Sequence, residues 1–284
     1  MSMTFTFPGK MGDALHQWPV AYHWAKKTGE KFDAWLDVGT CGPLVPLLEA
    51  QPCVNQVKLI EGVENYSCGG QPWHFDLPTS AHQDRTIVHM GLRGFPVRQL
   101  TLECMNQTKL NLSVKPDVLA NEPSLKVETS GKKNRLILHG MPVCPHTHNT
   151  PVFWKFLSGI RGELEKLFDE IVFVGDERDR EIGTRTYPDW TEFADDGDFM
   201  KLANYLGASR AMIGCGSAPV VLAGLLKVPA IRVHDVIAND APKVIWTNLG
   251  ENQLNEPEVD LRASWPKWRD RWLNSAVDSM PERA

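Results

Sequence analysis

Apolar and polar positions along this chain repeat with two different periods, and the two alternate. Residues 4–7 (Thr-Phe-Thr-Phe) alternate polar with aromatic side chains, which predicts a first strand. Leu15, Trp18, Tyr22 and Ala25 then recur near a 3.6-residue spacing and predict a helix. Pro19 falls inside that pattern, so either the helix kinks there or its regular part begins there. Residues 32–36 and 56–60 predict two further strands around a short helix over 43–50. The order up to this point is β-α-β-α-β, the alternation of a parallel sheet covered by helices. Residues 66–83 read as loop, 86–90 as a strand and 99–108 as a helix.

The stretch 115–133 is polar, holds Pro116 and Pro123, ends in Gly-Lys-Lys and predicts a connection. The pattern restarts beyond it. Strands are predicted over 135–138, 171–174, 211–213 and 230–233, and helices over 153–168, 198–208 and 218–226. Phe156, Ile160, Leu164 and Phe168 form one face of the first of these helices, and 171–174 is continuously apolar, as in a strand buried on both faces. A last helix over 264–277 places Trp265, Trp268 and Trp272 on one face, best explained by docking against a domain. The fold class expected is α/β, with two doubly wound, Rossmann-like domains facing a cleft and a C-terminal helix packing back. The expected boundaries are 1–115, a linker over 116–134, a second domain over 135–262 and the helix over 263–284. Ligands of such sheets bind at the carboxyl ends of the strands, so the turns after strands matter most.

Composition narrows the function classes. With 42% hydrophobic and 23% charged residues the sequence is that of a globular protein. A net charge of -5, with both signs mixed along the chain, lacks the basic footprint of a nucleic-acid binder. Without a long apolar run or a secretory leader pattern, a cytoplasmic location without a membrane span is expected. The six cysteines form no CxxC and read as free thiols. Ten tryptophans are many for 284 residues; indoles pack cores and also stack on sugars and bases, and composition does not separate these uses.

Two turns stand out. Gly9, Lys10, Met11 and Gly12 lead from the first strand into the first helix, and Asp13 follows at the helix start. The spacing is neither GxGxxG nor GxxxxGK[ST]. Asp13 can cap the helix by accepting from an N–H two or three residues on, or it can face a cleft as general base toward a hydroxyl. The second turn follows the predicted strand 211–213: Gly214, Cys215, Gly216 and Ser217, then Ala218 and Pro219 opening a helix. Small residues let backbone approach a ligand, and the N–H groups of a helix start favour an anion such as a diphosphate. An ordinary tight strand-to-helix connection reads equally well. His139, Cys144, His146 and His148 carry ligand-type side chains, but Cys-x-His-x-His matches no structural zinc spacing, and no metal site is expected. Lys155 is a further ligand candidate, and the run Asp176-Glu177-Arg178-Asp179 reads as a solvated helix start.

Together the two turns resemble the ADP-heptose:lipopolysaccharide heptosyltransferases, glycosyltransferase family 9, whose fold is GT-B. The N-terminal resemblance is FPGKMGDALHQWPVA; the C-terminal one, MIGCGSAPVVLAGLLKVP, keeps Gly214, Ser217, Pro219, Ala223 and Pro229 in register. IVFVGDERDRE is similar to the family's apolar strand, Gly and acidic segment. Gly216 stands where the family has Asp, Ala218 where it has Gly, and Val221 where it has His.

The resemblance implies a glycosyltransferase that moves a sugar from a nucleotide-diphosphate sugar to a hydroxyl acceptor, with inversion and without a bound metal or other cofactor. Asp13 matches the family's base, with Gly9–Gly12 bordering the reacting centre on the acceptor side. His139, Gly140, Lys155, Gly214, Gly216, Ser217 and Ala218 fall in the donor region of the second domain. The acceptor implied is a saccharide, with a modified nucleic acid as the alternative. A non-catalytic nucleotide-sugar-binding protein on the same scaffold is the rival reading, favoured by Gly216 and Val221. A nucleotide-sugar epimerase or dehydrogenase is disfavoured by the missing GxGxxG.

Overall fold

The computed structural model describes residues 3–61, 72–73, 86–90, 92–93, 110, 112–113, 123–129, 131–140, 149–215, 217–233, 245–247 and 269–270. By contacts the chain divides into two compact units: Met1–Lys126 with Asp198–Met200, and Val127–Gly197 with Lys201–Ala284.

The first unit is built on β1 (Met3–Phe7), α1 (Met11–Thr28), β2 (Phe32–Asp37), α2 (Val45–Glu49, preceded by a 3-10 turn over Gly42–Leu44), β3 (Val54–Ile60) and, after the short β4 (Pro72–Trp73), β5 (Ile87–His89). The order β3-β2-β1-β5 is parallel throughout, so the sheet order reverses between β1 and β5. Beside it, β4 pairs antiparallel with β6 (Leu92–Arg93). Helix α1 runs unbroken through Pro19. Its buried face explains why a residue that disfavours helix interiors is tolerated: Leu15, Trp18, Pro19 and Trp24 are all buried. An aromatic cluster forms the core here. Phe32 meets Phe5 at 4.8 Å and Trp18 at 5.6 Å, and Phe5 meets Trp24 edge to face at 5.1 Å. Part of the tryptophan surplus is thus packing.

The second unit contains β7 (Lys133–His139), α3 (Asn149–Leu167), β8 (Glu170–Phe173), α4 (Glu177–Thr186), β9 (Thr191–Glu192), all but the first two residues of α5 (Phe199–Gly207), β10 (Ser209–Cys215), α6 (Ala218–Leu225), β11 (Ala230–Val233) and β12 (Ile245–Thr247). Its sheet runs β12-β11-β10-β7-β8-β9, all parallel except the antiparallel edge pair β11–β12. Counting strands from β7, this is the doubly wound order 3-2-1-4-5-6, which reverses between β7 and β10. Alternate residues of these strands (Leu136, Leu138, Ile171, Phe173, Ala211, Ile213) join Phe153, Phe156, Leu157, Ile160 and Leu164 of α3 in one core.

Of the connection expected over 116–134, residues 123–129 and 131–134 are described, and they are tied to the fold. Ser124 and Leu125 are buried, the indole N–H of Trp18 donates to Ser124 O at 2.8 Å, and Lys133 already belongs to β7. The predicted helix 99–108 lies outside the described residues. Of the predicted 264–277 helix only 269–270 are described, as helix, with Arg269 Nη1 3.0 Å from Glu163 Oε2. Among the described residues no helix is long and apolar enough to cross a membrane.

Trp18 packs against Phe7 and Phe32 in the aromatic cluster at 1% exposure. Trp18→Ala is expected to cost about 3–5 kcal/mol, the usual range for truncating a buried aromatic, read as a lower urea midpoint.

Candidate functional site

Each of the two larger sheets reverses its strand order once, and a turn singled out in the sequence follows a strand at each reversal. In the first unit the chain leaves β1 through Pro8 and Gly9. Gly9 has φ 99°, a conformation that L side chains rarely adopt, and a Cβ there would come within 2.6 Å of Asp13 Cβ and 2.9 Å of its Oδ2. Lys10 is the N-cap of α1, Met11 and Gly12 are its first two residues, and Asp13 is the third helical position. The Asp13 carboxylate folds back over Gly9 and accepts the Lys10 backbone N–H at 3.0 Å. Capping therefore runs in the direction opposite to the one expected. Asp13 is the acidic half of a capping box, holding an N–H three residues behind it. Burial pushes the Asp13 carboxyl above the ordinary aspartate value, while the Lys10 N–H and the Lys10 charge oppose the rise.

Residues that the motif reading missed stand beside this turn. The Cys41 thiol, buried, donates to Gly9 O at 3.5 Å, and Thr40 Oγ1 donates to Asp37 Oδ2 at 2.6 Å at the end of β2. Burial lifts the Cys41 thiol to about 11, a value that makes it a structural group and not a thiolate nucleophile. Gln17 Nε2 donates to Pro8 O and Asp13 O, both at 2.9 Å, fixing the turn from the helix side.

In the second unit the reversal brings His139, the last residue of β7, beside Gly214 of β10 in register. Ser217 is the N-cap of α6, as its type suggests, yet its hydroxyl does not cap. It lies 2.9 Å from His139 Nδ1 and 3.2 Å from Cys215 O. The other ring nitrogen, His139 Nε2, faces Asp179 Oδ2 at 3.7 Å. Ser217, His139 and Asp179 thus form one column from three separate elements. His139 is 5% exposed and Asp179 7%. Burial lowers the imidazole to about 4, against the pull of the Asp176 charge, and raises the Asp179 carboxyl to about 7, with the Asp176 charge adding to that rise. Asp179 Oδ1 is buried with no hydrogen-bond partner.

The run Asp176-Glu177-Arg178-Asp179 is accordingly a helix start as expected, but not a wholly solvated one. Asp176 is the N-cap of α4, its carboxylate accepting the Asp179 N–H at 2.8 Å, and Asp179 turns inward. Gly175, with φ 123°, would place a Cβ 2.9 Å from Asp179 Oδ2 and 3.1 Å from His139 Cδ2.

The glycines of the donor-side motif serve packing. A Cβ on Gly140 would meet Phe153 Cε1 at 2.5 Å, and one on Gly214 would meet Val220 Cγ2 at 2.7 Å and His139 O at 3.2 Å. Of the His139 ring nitrogens, Nδ1 is within hydrogen-bond distance of the Ser217 hydroxyl, while Nε2 faces Asp179 at 3.7 Å. Ala218 opens α6 and is half-buried, while Lys155 is exposed on α3, and the contacts of Ser217 and His139 given above do not include it. Gly216, Cys144, His146 and His148 lie outside the described residues. An open concavity of about 540 Å³ on this unit is lined by Lys133 and Arg135 near the start of β7, with Phe193, Lys201 and Tyr205; it does not include the column.

No family model matches the sequence, and no curated protein sequence matches it. Solved structures do match. Escherichia coli heptosyltransferase WaaC with ADP aligns over 98% of this chain and 100% of its own, with TM-score 0.56 and 15% identity. Escherichia coli ADP-heptose LPS heptosyltransferase II aligns over 98% and 100%, with TM-score 0.54 and 11% identity. A glycosyltransferase family 9 structure from Veillonella parvula aligns over 81% and 79%, with TM-score 0.52 and 12% identity. The fold is that of the heptosyltransferases. At these identities the likeness concerns the heptosyltransferase fold, and the side chains described above are this chain's own.

Two outcomes test this geometry. Gly9→Ala should destabilise by about 1–2 kcal/mol for the left-handed backbone alone and further through the contact with Asp13. Gly29→Ala, at φ 73° with nothing within 4 Å of the added Cβ, should show only the backbone cost; chemical denaturation of both variants gives the difference.

The His139–Asp179 pair predicts opposite pH slopes. His139, held at about 4, binds fewer protons folded than unfolded, so its contribution is lost as pH falls from about 6.5 to 4. Asp179, held at about 7, binds more protons folded, so its contribution is lost as pH rises from about 4 to 7. In the native protein the two nearly cancel. Asp179→Asn should therefore lose stability on acidification across this window, on the order of 2 kcal/mol, and His139→Gln should lose it on alkalinisation; urea unfolding between pH 4.5 and 7.5 reads both signs.

Proposed function

We propose that this protein is a glycosyltransferase that moves a sugar from a nucleoside-diphosphate sugar to a hydroxyl acceptor, with inversion and without a catalytic metal. The observation that carries the reading is the placement of both sequence-singled turns at the strand-order reversals of their own sheets, where doubly wound folds bind ligands. The heptosyltransferase structures that share the fold carry ADP or an ADP-heptose analogue, which supports a nucleotide-sugar donor for this chain.

In this reading the second unit holds the donor. The start of α6, with Ser217 and Ala218, receives the diphosphate, because unpaired N–H groups and the helix dipole favour negative charge there. Asp13 of the first unit is the base. Its carboxylate removes the acceptor hydroxyl proton as that oxygen attacks the anomeric carbon. The bond from that carbon to the phosphate oxygen breaks, and the nucleoside diphosphate leaves with the electron pair. Partial burial raises the proton affinity of Asp13 above that of an ordinary aspartate, which strengthens it as a base. The acceptor class supported best is a saccharide, with modified nucleic acid as the alternative.

A thermal-shift and calorimetric screen of nucleoside diphosphates and their sugars identifies the donor, and transfer or donor hydrolysis is then followed with that donor. Asp13→Asn is expected to lower turnover at least 100-fold while donor affinity stays within about twofold. Full turnover in Asp13→Asn defeats the base assignment, and donor binding without turnover on any acceptor favours the non-catalytic reading. Activity unchanged by EDTA is the expected sign of metal independence.

A further inference from the structure

The column Ser217–His139–Asp179 goes beyond what a phosphate-binding helix start requires. A hydroxyl that only contacts a diphosphate needs no buried imidazole behind it, and an imidazole that only orients a hydroxyl needs no buried carboxyl behind that. Here all three are aligned, from the α6 N-cap through the end of β7 to the third position of α4. Two of the members are more than nine-tenths buried, and one carboxyl oxygen has no partner. Leaving a polar atom unsatisfied in the interior is costly unless a second state uses it.

We infer that the column is a proton-loading device: anion binding at Ser217 draws one proton from solvent onto His139, so that donor binding and proton uptake are coupled. The inference rests on the donor site proposed above. With the site empty above neutral pH, Asp179 is ionised and His139 carries its proton on Nε2 toward Asp179, so the Ser217 hydroxyl has two acceptors to share, Nδ1 at 2.9 Å and Cys215 O at 3.2 Å. When a phosphate oxygen arrives, the Ser217 O–H turns to donate to it. Nδ1 is then left facing the Ser217 oxygen, takes a proton from solvent and donates to that oxygen. The imidazolium lies between a carboxylate on one side and a hydroxyl polarised by phosphate on the other. One proton is gained, no other bond changes, and the positive charge sits one hydrogen bond from the leaving group. Such a charge stabilises a departing diphosphate in a low-dielectric site.

The surroundings bear on the sign. Facing the pair from α4 are Asp176, which favours the charged imidazole, and Arg178, which favours the ionised Asp179. Arg180 is turned aside, its Nε donating to Gly175 O and its Nη1 paired with Glu192. The first turn of α6 carries neither acidic nor basic side chains, and α3 presents Phe153 and Trp154 toward Gly140. Burial holds His139 neutral in the empty site despite the carboxylates, so an added anion meets a group with room to take a proton.

The test is calorimetric titration of the full-length protein with ADP, GDP, UDP, CDP and dTDP at pH 8, each in two buffers of different ionisation enthalpy. At that pH a free nucleoside diphosphate has no proton left to lose. The difference in heat between buffers counts protons, and close to one proton taken up per nucleotide bound is expected. His139→Asn and Asp179→Asn should each abolish the uptake. Ser217→Ala, which removes one buried-facing hydroxyl and leaves the fold alone, should do the same if either of those variants fails to fold. Binding without uptake, or uptake that persists in the variants, overturns the coupling and leaves the donor site standing. Failure of every nucleotide to bind overturns both.

Discussion

A carboxylate folded back over a glycine of positive φ is the local constraint on which both candidate sites rest. It occurs twice with the same spacing. Gly9 and Asp13 open α1, and Gly175 and Asp179 open α4; in each the glycine precedes the N-cap and the aspartate is the third helical residue. The geometry has one physical basis. A strand that turns tightly into a helix leaves the N-cap amide without a partner, and an acid three residues on reaches it only across the space a Cβ would fill. The same fold-back takes the carboxyl out of water. In both cases desolvation is the first cause of the raised proton affinity. A device that starts a helix thereby also makes a tuned acid.

Parallel pairing decides where these acids end up. Parallel neighbours cannot be joined by a hairpin, so each strand returns through a crossover and every strand-to-helix turn gathers on one edge of the sheet. Where the strand order reverses, helices leave on opposite faces and the turns between them stay open. His139 and Ser217, 78 residues apart, meet at such a point because β7 and β10 are the adjacent strands there. Gly214 and Gly140 make the approach possible through packing against Val220 and Phe153.

Much of this was legible in the sequence. The strand over Ala230–Val233 and the helix start at Ala218 fall where periodicity and the Ser-Ala-Pro signal put them. Asp13 was readable as an acid at a helix start, although its direction of capping was not, because N-cap and N3 acids look alike until the preceding backbone is known. The column was not legible. His139 looked like a ligand contact, and Asp179 was hidden in a charge run whose ordinary reading is a solvated face. The available signal was local: Asp176 and Asp179 at i and i+3 just after a glycine spell a capping box, which turns the second acid toward the protein. The two-residue β9 and three-residue β12 are too short to show a period, and Pro19 obscured a helix that burial sustains.

The contact between Trp18 and Ser124 has a practical consequence for anyone dividing the chain. The indole N–H reaches 106 residues forward for its acceptor, and Gln51 binds both the N–H and the O of Lys126 through its side-chain amide. These residues are the closing latch of the first unit, supplied after its last described strand. A fragment that stops at 115 leaves the Trp18 indole interred without its acceptor and the Gln51 amide with Leu47 O as its remaining partner; one carried through to 126 brings its own closure.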